Sequence, residues 1–348
     1  MLVQTSENPL TPGALFDRVT LSSFPGTRNK TKGTVQAGRY RERRTMDRAC
    51  TRSHSKSPTV IQIVGSIVVL LCVVGGFVLE GGHILALWHP TEVLIIVGSA
   101  LGAFFTSNPT KIVKASFTGA IGVLKGPRYN RDDYVQLLKL LYDVLMKIRK
   151  DGLMAIEASL EAKDGGALFK NYPKIRADQH LMEFITDCLR LMVGGSLDPH
   201  ELESLLEMEL ETHHEAAHEP AHAVQKVADA LPGFGIVAAV LGIVNTMASL
   251  DGADTATIGH KVGAALVGTF LGILVSYGFV GPIASSMSHA ASEEGKAFEV
   301  VKMALVASVR GYVPSIAIEF ARKLLMSDIR PTFGDLEAQL KAKPRAAA

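Results

Sequence analysis

The sequence predicts an all-α polytopic membrane protein with four transmembrane helices and a helical cytoplasmic domain between the second and the third. Three observations carry that prediction. The 348-residue chain is 47% hydrophobic but only 6% aromatic, with a mean hydropathy of +0.22, a balance that favours a membrane protein and excludes a disordered chain. Its apolar residues gather into four stretches free of Asp, Glu, Lys and Arg, at 60–79, 93–110, 230–250 and 262–292, near the about 20 residues that a bilayer core asks of a helix. Lys and Arg are absent between Glu80 and Glu92, and only Lys261 ends the link that begins at Asp251, while residues 28–58 hold ten, 108–229 fifteen and the tail after Ser285 nine. The positive-inside rule then puts both termini and the long middle segment in the cytoplasm, with two short loops outside. The competing reading is four buried helices of a soluble core; long uncharged runs arranged in two pairs weigh against it.

Residues 1–57 are basic and rich in Ser, Thr and Arg, with no sustained periodicity, and read as a disordered extension. Arg43-Arg44 stands sixteen residues before the first apolar run, too far for an ordinary signal peptide. A gene start set too early is expected here, with the native chain opening near Thr59-Val60; mass spectrometry of the N-terminus tests it, and peptides from 1–57 would refute it.

Residues 58–110 hold the first two spans and 230–292 the last two. The run at 262–292 has 31 residues, roughly 47 Å as one helix against a hydrocarbon core of about 30 Å, so it continues into the cytoplasm. Small residues recur in the spans, including Gly98 and Gly102 and again Gly268 and Gly272, each pair a GxxxG that permits close helix approach. Ion paths through membranes usually need an ionisable side chain at depth. With none inside the four runs, a conducted ion would require a carboxylate from a partner. The polar groups that remain, Thr269, Ser276, Tyr277, Asn245 and Thr246, could line a path or bond back to their own helices.

The cytoplasmic segment 111–229 shows helical periodicity in 134–148 and 181–193, turn signals at Asp151-Gly152 and Asp164-Gly165-Gly166, and a helix restart at Asp198-Pro199. Residues 201–219 carry seven glutamates and no Lys or Arg, either a solvated helix face or a docking surface. Residues 293–348 are expected to form a cytoplasmic helix and tail. The three cysteines, Cys50, Cys72 and Cys188, are odd in number, distant and without CxxC spacing, which suggests neither a disulfide framework nor a thiolate zinc site. A net charge of +2 gives no overall field for nucleic acid.

His214-Glu215-Ala216-Ala217-His218 matches HExxH, a zinc hydrolase pattern when a third ligand is near. The later Asp251-Gly252 could complete an intramembrane metalloprotease, but a mostly helical chain separates His214 and Asp251 by roughly 50 Å, and zinc ligands stand about 2 Å from the metal. No metal or cofactor is expected. His213, His214, His218 and His222 form a cluster with no assigned role.

Several stretches together resemble the MotA family of flagellar motor stator subunits, within the proton-motive-force-driven MotA/TolQ/ExbB group. They are GGFVLEGGHILALWHPTEVLII before and into the second run, LPGFGIVAAVLGIV from Leu231, ALVGTFLGIL from Ala265 followed by Pro282, and GYVPSIAIEFARK from Gly311. The resemblance covers nearly everything after the extension. It implies a multi-pass inner-membrane protein with no covalent chemistry of its own. It also implies a homo-oligomeric ring, a pentamer, around a MotB-like subunit whose aspartate binds the ion, taken as a proton rather than sodium. By position it implies that Pro232 and Pro282 couple ion binding to movement, that Thr269 is a pore hydroxyl with Ala239 opposite, and that Arg149, Glu157, Arg190 and Glu209 engage the rotor protein FliG. The alternative is a TolQ- or ExbB-like energiser of outer-membrane processes, although those subunits have three membrane helices.

Overall fold

The computed structural model describes residues 58–123, 126, 128–161, 169–195, 198–248 and 254–341. The basic extension, the Asp164-Gly165-Gly166 turn, Asp251-Gly252 and the final residues lie outside that set. Among the described residues every regular element is helical. The order is α1 (Pro58–Leu79), a short 3-10 turn (Ile84–Leu87), α2 (Pro90–Ser107), α3 (Thr110–Val123), α4 (Arg131–Asp151), α5 (Met154–Glu161), α6 (Pro173–Ala177) and α7 (Gln179–Val193). Then come α8 (Pro199–Ala248), α9 (Thr255–Val275), a π turn (Ser276–Val280), α10 (Gly281–Val309), α11 (Pro314–Leu324) and α12 (Phe333–Lys341).

Local chemistry fixes most boundaries. Proline sits in the first turn of α2, α6 and α11, where its missing N–H has no intrahelical partner to lose. Asp178 accepts the Leu181 N–H at 3.3 Å and Asp254 the Thr257 N–H at 3.1 Å, capping α7 and α9. Gly152, at φ +81°, closes α4 in a left-handed conformation that a side chain would disfavour.

Among the described residues four helices are long and apolar enough to cross a membrane: Ile61–Leu79, Ile84–Ser107, Pro199–Ala248 and the continuous run Thr255–Val309. The last two hold 50 and 55 residues, roughly 75 and 80 Å of rod, well beyond a bilayer core. The run at 262–292 therefore continues far past its apolar part, as its length predicts, and the described part of that at 230–250, as far as Ala248, is the distal part of a helix that starts at Pro199.

Two regions are packed differently. In the membrane bundle, α2 and α9 lie along α8, sharing Ile96, Ala100, Leu231 and Ala238. α1 lies apart, touching the 3-10 and π turns and tied to α10 where the Gln62 amide donates to Ser286 Oγ at 2.6 Å. Leu71 of α1 is 67% exposed, a surface suited to lipid or to another apolar helix. The second region is a large core built by α4 to α7, the start of α8, and equally by α10, α11 and α12. Phe184 meets Phe298 edge to face at 5.3 Å, and the Tyr134 hydroxyl donates to the Glu293 carbonyl at 2.9 Å. The segment after residue 293 thus completes the helical domain begun before the third span. α3 lies against α8 and α10 at the junction, with Ser116 Oγ donating to the Pro220 carbonyl at 3.3 Å.

Candidate functional site

α8 and α9 cross at backbone contact. A Cβ placed on Gly235 would stand 3.0 Å from the Gly268 carbonyl oxygen and 3.3 Å from the Thr269 Cα, and one on Gly272 would stand 2.8 Å from the Leu231 carbonyl oxygen. Gly268 and Gly272 are therefore a working GxxxG, answered by Gly235. A Cβ on Gly98 or Gly102 would meet nothing within 4 Å, so the same spacing in α2 makes no such contact among the described residues. Thr269 is half-buried at this seam and Ala239 is buried in it.

Pro232 lies inside α8 and brings no N–H, which leaves the Ala228 carbonyl, one turn earlier, without its helical donor. Ser276 supplies the substitute: its Oγ, 0% exposed, donates to Ala228 O at 2.6 Å. The Ser276 carbonyl in turn accepts the Gly281 N–H, closing the π turn that leads into Pro282. One residue thus connects both prolines, its side chain to the gap left by the first and its backbone to the widened turn before the second. The hydroxyl bonds across to α8 rather than to its own helix or a path. Thr246 takes the local option and donates to Gly242 O at 2.7 Å.

Glu92 escaped the reading of uncharged runs, because it stands one residue before the stretch at 93–110. It belongs to the first turn of α2 and is only 7% exposed. Its four-residue spacing with Ile96, Ala100 and Phe104, all buried, places it on the stripe that faces α8. That spacing was the available signal.

Arg149, Glu157, Arg190 and Glu209 are all exposed. Arg149 ends α4 and Glu157 opens α5 across the Gly152 turn, each with the sign that suits its helix end. Arg190 pairs with Asp187 at 3.0 Å. Partial desolvation and the Asp187 carboxylate raise the Glu209 carboxyl from its ordinary value. α5, which carries Glu157, packs against α7, which carries Arg190.

The histidine cluster runs up one face of α8. The His214 and His218 rings lie 4.2 Å apart and those of His218 and His222 6.2 Å apart. Both ring nitrogens of His218 engage α10 serines, Nδ1 with Ser288 Oγ at 3.1 Å and Nε2 with Ser292 Oγ at 3.3 Å. HExxH here joins two helices, and among the described residues no group of three or more His, Cys, Asp or Glu side chains is arranged to hold a metal.

Comparison with known proteins places this architecture. Residues 63–152 match the family described as Motility protein A N-terminal, and residues 176–300 match the MotA/TolQ/ExbB proton channel family. Motility protein A of Salmonella typhimurium is 40% identical over 280 residues, 80% of this chain and 95% of that protein. Chemotaxis protein LafT of Vibrio parahaemolyticus is 40% identical over 279 residues, 80% of this chain and 98% of its own. Among solved structures, that of C. jejuni MotAB gives a TM-score of 0.63 at 23% identity, covering 79% of this chain and 99% of the other, and supports the fold. The chain belongs to the MotA family of flagellar motor stator subunits, within the MotA/TolQ/ExbB proton channel family.

Proposed function

We propose that the chain forms the ring of a proton-driven stator in the bacterial inner membrane, with both termini and the helical domain in the cytoplasm. A MotB-like partner contributes the aspartate that carries the proton past Thr269 and Ala239, and five copies of the chain surround it. The name of the solved relative, a MotAB stator complex from Bacillus subtilis, supports such a partner, and the Lys and Arg distribution supports the orientation. Protonation at the partner's carboxylate alters the fit of the Gly235–Gly272 seam. The helix interruptions at Pro232 and Pro282 absorb the change. The two rods α8 and α10, which leave that seam and enter the core of the helical domain, carry the movement to its surface. There Arg149, Glu157, Arg190 and Glu209 push on FliG, a charged contact suited to repeated engagement and release.

The observation that carries this reading is the bond from Ser276 to the carbonyl freed by Pro232, at the π turn before Pro282. Coupling positions need not affect assembly. Replacing Pro232 by Leu is therefore expected to abolish swimming while flagella are still built and the protein still reaches the membrane. Normal motility in that strain would contradict the mechanism.

A further inference from the structure

One ionisable side chain inside the membrane bundle has no part in that mechanism. Glu92 is enclosed between α2, α8 and α9, and its Oε2 is buried with no hydrogen-bond partner. The carboxyl occupies space that two glycines leave open: a Cβ on Gly268 would stand 2.7 Å from Oε2, and one on Gly242 would stand 3.6 Å from Oε1. The same Gly268 position is 3.2 Å from the Ala238 Cβ and 3.5 Å from the Ala239 nitrogen. The carboxyl therefore reaches the seam that holds Thr269 and Ala239. His89, the last residue before α2, also has a buried nitrogen without a partner, Nδ1. It lines a cavity of about 510 Å³ with Thr257, His260 and Lys261 at the start of α9. Among the described residues the titratable groups of this region are His89 just before α2, the cap residue Asp254 and, on α9, His260 and Lys261; α8 contributes the uncharged Gly242 and Ala238 to the carboxyl's surroundings.

A permanent carboxylate whose buried Oε2 has no donor is costly to hold in an apolar bundle, whereas an unpaired acid one turn from His89, which borders an open cavity, is suited to binding and releasing a proton. Ionisable residues enclosed among membrane helices mark proton relays. We propose that Glu92 is a second proton-binding carboxyl on the pathway, contributed by this chain rather than by its partner. Protons enter the cavity beside His89 and His260, bind the Glu92 carboxylate, and pass along the Gly268 gap to the partner's carboxylate, which leaves Glu92 ready to be loaded again. This rests on the stator reading and adds a station that reading does not contain.

The test uses the full chain co-expressed with its partner. Proton uptake on energising vesicles and swimming speed between external pH 6 and 8 are compared for wild type, Glu92→Gln and Glu92→Asp, with Pro232→Leu alongside. Infrared difference spectra of the membrane-embedded complex over the same range report carboxyl protonation directly. The expected result is a pH-dependent carboxyl band that Gln removes and Asp shifts. A drop of tenfold or more in uptake and speed is expected with Gln, and partial activity with an altered pH profile with Asp. Wild-type uptake and speed in Glu92→Gln, or spectra unchanged by both substitutions, would overturn the proposal. If Gln lowers the amount of protein in the membrane, Asp decides, and a pH profile and band identical to wild type would then refute it. Should Pro232→Leu stop swimming while Glu92→Gln does not, the relay fails and the stator reading stands; if Pro232→Leu swims normally, the stator mechanism itself is at fault.

Discussion

Ser276 joins two features that sequence shows only separately. Pro232 and Pro282 are legible because the effect of proline on a helix is local. The residue that answers Pro232 lies 48 positions from Ala228, and no periodicity links them. Removing its hydroxyl leaves a buried carbonyl unpaired, so Ser276→Ala is expected to cost about 1–3 kcal/mol of stability. In a Pro232→Ala background the restored N–H can serve Ala228 instead, and the same substitution should cost much less, giving a coupling of the order of 1 kcal/mol. Unfolding of the purified wild type and the three variants in detergent measures the cycle; additive effects would mean that Ser276 does not replace the missing donor. Glu92 was obscured for another reason. Counting uncharged runs ends each span at its first charge, so a buried acid in a first turn falls outside the count although its spacing with Ile96, Ala100 and Phe104 is that of one helix face.

At the level of elements, the order, type and approximate length of the spans follow from hydropathy alone, and so does the continuation of the fourth past the membrane. Which faces meet does not. The two GxxxG pairs are indistinguishable as sequence, yet one lies against a partner backbone and the other faces open space. Gly272→Ala is expected to force α8 and α9 apart, since the new Cβ would meet the Leu231 carbonyl at 2.8 Å. Strain of that kind costs about 1–3 kcal/mol, while Gly98→Ala, with nothing within 4 Å, should stay within about 0.5 kcal/mol of wild type. Thermal unfolding of the two proteins distinguishes them, and equal losses would count against the observed crossing. The domain core shows the same limit at larger range. Apolar periodicity identifies a face on each helix, but not that Phe298 after the last span packs on Phe184 before the third.

For the whole molecule, torque requires that the charged surface move with the membrane bundle rather than slip on it. Arg149 stands at the end of α4, a helix packed on both α10 and α11, and α10 continues directly from the π turn at the membrane seam. Its charge is thus fixed to a rod that starts at the π turn beside the Gly235–Gly272 seam. Because Arg149 is exposed, its own contribution to folding is small, within about 0.5 kcal/mol, and the role proposed for it is to steer a transient contact that salt can screen. Arg149→Glu should therefore leave thermal stability and proton uptake near wild type while reducing swimming speed several-fold. Reversing an acidic charge on the rotor protein should restore part of the loss. Measured together, the three readouts separate contact from coupling: loss of uptake would place Arg149 in the ion mechanism, loss of stability would make it structural, and speed beyond rescue by any rotor charge would remove it from the interface.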